Sequence, residues 1–295
     1  MARICPRPNA GCGPIWIRLG WTAQNDPLLC REWAAKEGFD VGRTVSRAAQ
    51  LVRHSLLSAG LLLLLVTTFN LGVEVLMRRV LLPHAPLDLA DPLARLRTYQ
   101  SGWYWVSVAN SLATASLSFA GAAHGMLKAE DRRHSSFVDC VRAGLSHFFP
   151  ALAILLIFYV GMFLGLLLLV VPGVLIAMMW SVAIPSLVGE NLGVFESLDR
   201  SRELTRGSRG KIFLIFISCT IAAYATMIMG FALISGGYMQ MATTRIEYPF
   251  MFYGVQLPLS WGVSMFLTAV TVSVYLETLT ISGRARTGHF EEVFS

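Results

Sequence analysis

The sequence is poor in charge. Only 14% of its 295 residues are Asp, Glu, Lys or Arg, while 55% are hydrophobic and the mean hydropathy is +0.58. A soluble domain carries about a quarter charged residues, so the deficit excludes an ordinary water-soluble globule. Cysteine is scarce as well. The five cysteines, Cys5, Cys12, Cys30, Cys140 and Cys219, form no CxxC pair and have no His at zinc spacing. This excludes a metal centre or a disulfide framework, and no cofactor is expected. Catalytic signatures are absent too: there is no GxSxG, no phosphate-binding Gly-rich loop and no HExxH, and the six histidines are scattered. The chain does not read as an enzyme. The first 40 residues lack the roughly 7–15-residue apolar core of a signal peptide. Residues 1–37 are rich in Pro, Gly, Asn and Cys without period, which reads as a mobile N-terminal tail or the extension of an over-long gene model.

What is abundant is long apolar sequence. From Ala143 to Gly189 there are 47 residues without a single Asp, Glu, Lys or Arg. As one helix this stretch would reach roughly 70 Å at about 1.5 Å per residue, more than twice a hydrocarbon core of about 30 Å. Pro172-Gly173 supplies a break, because Pro disfavours helix at Val171 and Gly frees the backbone. Two spans are therefore expected, about 148–171 and 174–189, joined by a tight turn. The second is short for a full crossing. Four further spans fall at 55–77, 103–127, 212–235 and 257–281. The fold class is an all-α integral membrane bundle of six helices over 38–282, followed by a cytoplasmic tail over 283–295.

Charge distribution orients this map. With the N-terminus inside, segments 1–54, 128–147, 190–211 and 282–295 hold 8, 4, 5 and 2 of the 24 Lys and Arg. The outer segments 78–102, 172–173 and 236–256 hold 4, 0 and 1. The excess of positive charge inside predicts both termini in the cytoplasm. It also requires 174–189 to cross, since otherwise the basic 190–211 loop would fall outside. The net charge of +6 thus reflects membrane topology and not a nucleic-acid partner.

Each segment preceding an outward span looks amphipathic. Aligning 41–55 with 194–208 makes Val41/Val194, Arg47/Arg200, Leu51/Leu204, Arg53/Arg206 and Ser55/Ser208 identical. Residues 136–150 form a weaker copy that places Arg142 on the same arginine. The pattern suggests an interfacial helix plus a transmembrane hairpin, repeated three times. Any basic amphipathic helix before a span would look similar.

Residues 170–216 resemble an uncharacterised bacterial membrane-protein family, the one named after the membrane domain of some glycerophosphoryl diester phosphodiesterases. The resemblance rests on Pro172, Gly173, Trp180, Pro185, Glu190, Gly193, Ser197, Leu198, Arg200, Ser201, Leu204, Thr205, Gly207 and Lys211. It is dense over about 45 residues, looser from about 38 to 282, and does not cover the first 37. It implies a multi-pass protein of the bacterial inner membrane. It does not imply phosphodiesterase activity, which belongs to a separate soluble barrel. The end "VYLETLTISGRARTGHF" departs from the family's pattern.

Ionisable residues within spans are the default functional candidates. Glu74 lies near the outer end of the first span with Arg78 one turn on, which suggests an interfacial ion pair. Glu277 lies near the inner end of the last span, where Arg284 or an arginine of an interfacial helix could pair with it. Glu190 closes the fourth span beside the basic segment, and Arg200 is expected to reach it. Ser197, Ser201 and Thr205 recur every four residues, as close helix packing would require. Gly207 can cap that helix. Arg200, Arg202, Arg206, Arg209 and Lys211 could contact anionic lipid headgroups, each worth about 1 kcal/mol near the surface. Two functional readings remain. One is a non-catalytic protein acting in envelope homeostasis through lipids or a membrane-protein partner. The other is a small-solute transporter or permease, for which Asn70, Asn110, Thr220 and Tyr224 are the polar residues available to a cavity.

Overall fold

A computed structural model describes residues 39–81, 102–130, 135–168, 170–235 and 249–293. The proposed tail at 1–37 lies outside the described residues, as do most of the segments 78–102 and 236–256. The chain divides into two compact units, residues 1–40 and 41–295, and the described helices belong to the second.

Among the described residues this unit is entirely helical: α1 Val41–Ser55, α2 Ala59–Leu81, α3 Gly102–Glu130, α4 Phe137–Ser146, α5 Phe148–Leu168, α6 Val170–Met179, α7 Ala183–Glu190, α8 Val194–Thr205, α9 Arg209–Ser235 and α10 Pro249–Val293. Six stretches are long and apolar enough to cross a membrane: Ala59–Leu76, Tyr104–Glu130, Phe148–Leu168, Val171–Glu190, Arg209–Gly230 and Tyr253–Ser282. Their outward surfaces remain apolar, with Leu65, Phe69, Phe163, Leu167, Ile221 and Met229 all exposed. In water such a surface would be a liability, and in lipid it is the solvent-facing side.

Helices α1, α4 and α8 each precede a span. Helix α4 opens with a reciprocal cap, in which the Asp139 amide donates to Ser136 Oγ and the Ser136 amide donates to Asp139 Oδ2, both at 3.2 Å. These bonds, with Lys128 nearby, hold the Asp139 carboxyl below the usual carboxylate range. Helix α3 lies centrally, packed against α2, α4, α5, α7 and α10, and α1 packs against α10. One apolar core joins Ala120, Ala151, Ile154, Ala183, Leu187 and Leu198. A second joins Leu62, Val66 and Cys140.

The reversal between the third and fourth spans differs from the expected turn at Pro172-Gly173. Helix α5 runs to Leu168 and α6 begins at Val170, so Pro172 and Gly173 sit in the first turn of the descending helix. Proline fits there because first-turn amides have no intrahelical acceptor to lose. Gly173 serves close approach: a Cβ on Gly165 would lie 2.6 Å from Gly173 Cα. The fourth span is also not the single helix 174–189. It breaks at 180–182 into α6 and α7. Pro185 explains the break, since it has no N–H to donate to the carbonyl of Ser181. The earlier start makes this crossing 20 residues, enough for about 30 Å.

Candidate functional site at the charged end of the bundle

The break in the fourth span creates the polar site. At Ala183 the amide donates to Trp180 O at 3.2 Å and not to Met179 O. The Met179 carbonyl would be left without a partner in the interior. Ser201 on α8 supplies it, donating from Oγ at 2.7 Å. Ser186 Oγ in turn donates to Ala183 O at 2.8 Å and to Ser197 O at 3.3 Å. Ser197 and Thr205 donate to backbone carbonyls of their own helix, Gly193 O at 2.7 Å and Ser201 O at 2.9 Å. All three hydroxyl residues of the stripe are fully buried. Small side chains are needed because α8 lies directly against the broken helix. Trp180 packs its ring over Gly161, where a Cβ would come within 2.7 Å of it.

Glu190 is the last residue of α7. Arg200 Nε donates to both of its carboxylate oxygens, at 3.1 and 3.0 Å, and Arg200 Nη1 donates to Glu203 Oε2 at 2.9 Å. Burial works against the Arg200 charge, but the hydrogen bonds to Glu190 and Glu203 outweigh it and hold the guanidinium above its ordinary pKa. The second partner of Glu190 is Tyr275, whose hydroxyl donates at 3.1 Å from α10. The sequence reading did not include Tyr275. It is 85 residues away and looks like any aromatic residue in an apolar span.

Two backbone features set the approach of α8. Asn191 takes a left-handed conformation at φ 52°, and Gly193 donates its N–H to Glu196 Oε2 at 3.1 Å. At the other end Gly207 has φ +91°, which a residue with a Cβ rarely adopts, and it redirects the chain into α9. His147 Nε2 lies 3.2 Å from Asn191 Oδ1, tying the start of α5 to the same junction.

Glu277 forms a second charged cluster. It is 4% exposed and meets two arginines of α1, Arg43 Nε at 3.3 Å and Arg47 Nη1 at 3.5 Å. Arg47 Nε also lies 3.5 Å from Glu130 Oε1 at the end of α3. Its partners are thus two arginines of the first helix. The side chain of Arg284 lies outside the described residues, as does that of Arg78, offered above for Glu74. Of the cavity candidates, Asn70 lines a cleft between spans, while Thr220 and Tyr224 face outward on α9.

Chemically, the site binds helices together and presents charge. Among the described residues no three of His, Cys, Asp or Glu come together as a metal site would require. Residues of α8 and its flanks surround an open cleft of about 740 Å³ that includes Glu190, Glu196, Arg200, Arg202, Arg206 and Arg209. Arg202 and Arg206 are exposed, and Arg209 Nε is buried with no hydrogen-bond partner among the described residues.

These features define the class: an all-helical, multi-pass membrane protein with charged junctions at one end of the bundle. Comparison with known proteins found no matching family model, no matching curated protein and no matching solved structure.

Proposed function

We propose that the chain is a non-catalytic protein of a bacterial inner membrane, with both termini in the cytoplasm, acting in envelope homeostasis by holding anionic lipid headgroups where α8 meets α9. The carrying observation is Arg209 Nε, a buried cationic donor without a hydrogen-bond acceptor among the described residues, in a cleft that also holds Arg202 and Arg206. A phosphate oxygen is the acceptor such a donor selects. Part of the cleft's acidic lining is already engaged, because Glu190 and Glu203 accept from Arg200 and Glu196 accepts from Gly193. Arg209 is the first residue of a span, at the depth where headgroups lie.

Threefold repetition of interfacial helix plus hairpin belongs to the same reading. It is supported by burial: Thr44, Ala48 and Leu51 of α1 are buried at the positions that align with buried Ser197, Ser201 and Leu204 of α8. The aligned arginines support it too. Arg47 meets glutamates near the ends of two spans, Glu130 and Glu277, and Arg200 meets Glu190 at the end of a third. The sequence resemblance adds the bacterial inner membrane.

The test is lipid-dependent stability. Purified protein in a neutral detergent should melt at higher temperature with added phosphatidylglycerol than with phosphatidylcholine. The variant R202Q/R206Q/R209Q should lose that difference. Equal stabilisation by both lipids in the parent protein would overturn the headgroup reading.

A further inference from the structure

Helix α9 is the span that the bundle covers least. Only 17% of its spanning stretch is buried, the smallest share among the six. It packs mainly on α10 and touches α6. Ile212, Ile215 and Cys219 line its bundle-facing side and are buried. On one outer flank Phe213, Ile217, Thr220, Tyr224 and Met227 follow one another at spacings of four, three, four and three residues. That is the period of a seam along which one helix meets another. The centre of this seam is open: Ile217, Thr220 and Tyr224 are all exposed, Tyr224 at 67%.

Two of these side chains are out of place in lipid. Thr220 is eleven residues beyond Arg209, where the span begins. That is about 16 Å along the helix, near the middle of a hydrocarbon core of about 30 Å. Tyr224 lies one turn further. Helical side chains lean toward the N-terminus of their helix, which carries the Tyr224 hydroxyl inward from the nearer surface. The neighbouring hydroxyls are satisfied within α9: Ser218 donates to Ile215 O at 3.0 Å and Thr226 to Ala222 O at 2.8 Å. Neither Thr220 nor Tyr224 has a hydrogen-bond partner among the described residues. Acyl chains offer no acceptor, so a hydroxyl left facing them is costly.

The chemistry of the seam selects its occupant. A hydroxyl both donates and accepts, so it is complementary to itself. Two copies of this chain in one membrane share an orientation, and a two-fold axis along the membrane normal sets each seam residue of α9 opposite its own counterpart. Thr220 then meets Thr220 and Tyr224 meets Tyr224, each pair closing a hydrogen bond across the axis. No Asp, Glu, Lys or Arg occurs from Ile212 to Ser235, so no like charges oppose the approach. An acyl chain could fill the space but not the hydrogen bonds, and an unrelated helix would need hydroxyl groups at the same two depths. We propose that α9 docks against α9 of a second copy of this chain along Phe213, Ile217, Thr220, Tyr224 and Met227, as a parallel two-fold pair. The inference is independent of the headgroup reading, which rests on Arg202, Arg206 and Arg209.

Förster transfer between full chains carrying a donor or an acceptor at the C-terminus, in vesicles of phosphatidylethanolamine and phosphatidylglycerol, tests it. Transfer should fall along a monomer–dimer curve as lipid dilutes the protein, and unlabelled chain should compete it away. Thr220→Leu combined with Tyr224→Phe should weaken dimerisation about tenfold, since each hydrogen bond between helices in lipid is worth a factor of a few. Neither hydroxyl has a partner within the described chain, so this variant should melt in detergent at the parent's temperature. Should the paired change impair folding, Tyr224→Phe alone decides, with an expected weakening of about threefold. Ala225→Leu, on the other exposed flank of α9, should leave dimerisation unchanged. A parent protein that stays monomeric at the highest protein density, a folded hydroxyl variant that dimerises like the parent, or an Ala225→Leu protein weakened as strongly as that variant would each overturn the proposal.

Discussion

Replacing Glu190 by Ala removes the acceptor that three helices share. Arg200 Nε loses both carboxylate oxygens and Tyr275 loses the partner of its hydroxyl. A hydrogen bond to a charged group is worth about 1.5–3 kcal/mol. The Arg200 and Glu190 side chains are 18% and 27% exposed, which places their contact near the lower end of that range, since solvent screens it. Tyr275 is only 3% exposed, and a hydroxyl stranded there adds about 1 kcal/mol. Glu190→Ala should therefore cost about 2–3 kcal/mol. Arg200→Ala should cost about 2 kcal/mol, because Glu190 keeps Tyr275. Tyr275→Phe should cost about 1 kcal/mol. The Glu190–Arg200 contact is lost once in the double variant but counted in both single ones. The double change should fall short of the sum by about 1–1.5 kcal/mol. Thermal unfolding in detergent, followed by Trp emission, reads these differences. At about 2–4 °C per kcal/mol, Glu190→Ala should lower the midpoint by roughly 4–12 °C. Single variants that melt like the parent, or a double variant equal to the sum, would refute the argument.

Four further outcomes follow from the same geometry. Ser201→Ala strands the Met179 carbonyl, so it should cost about 1–3 kcal/mol and speed amide hydrogen exchange around 180–183. Gly165→Ala places a Cβ 2.6 Å from the Gly173 backbone and should destabilise by about 1–3 kcal/mol, whereas Gly72→Ala, with nothing within 4 Å, should not destabilise; melting temperatures separate the two. Glu277→Ala removes the buried carboxylate that Arg43 and Arg47 share and, since those arginines are 35% and 25% exposed, should cost about 1.5–3 kcal/mol, read as lost folded yield and easier proteolysis within α1. Reporter fusions after Gln100, Ser208 and Tyr248 should read outside, inside and outside; an outside signal at Ser208 would mean that the broken fourth helix does not cross.

The start of the fourth span at Val170 and the break at 180–182 show where reading a sequence by local rules reaches its limit. Pro172 was legible as an interruption, but proline is compatible both with the end of one helix and with the first turn of the next. The choice depends on Gly165 and Gly173 meeting across the hairpin. Pro185 was visible too, yet a proline near the end of a short span looks like a terminus. Its effect on the carbonyls before it appears only when Ser201 is seen to donate to Met179 O. The stripe of Ser197, Ser201 and Thr205 was readable as close packing, but not what it packs against.

By itself, the sequence determined the class of this protein and the positions of its six long apolar helices. Transfer into hydrocarbon is an energy each residue contributes largely on its own, so a run of apolar side chains carries its meaning without reference to the rest of the chain. The tertiary structure alone decided which groups meet. Tyr275 reaches Glu190 across 85 residues, Arg43 and Arg47 reach Glu277 from the first helix to the last, and Trp261 donates to Gly60 O across 201 residues. Such pairings are set by which helix lies beside which and at what rotation. That arrangement depends on the packing of small residues from several spans at once, and the order of residues along any one span does not contain it.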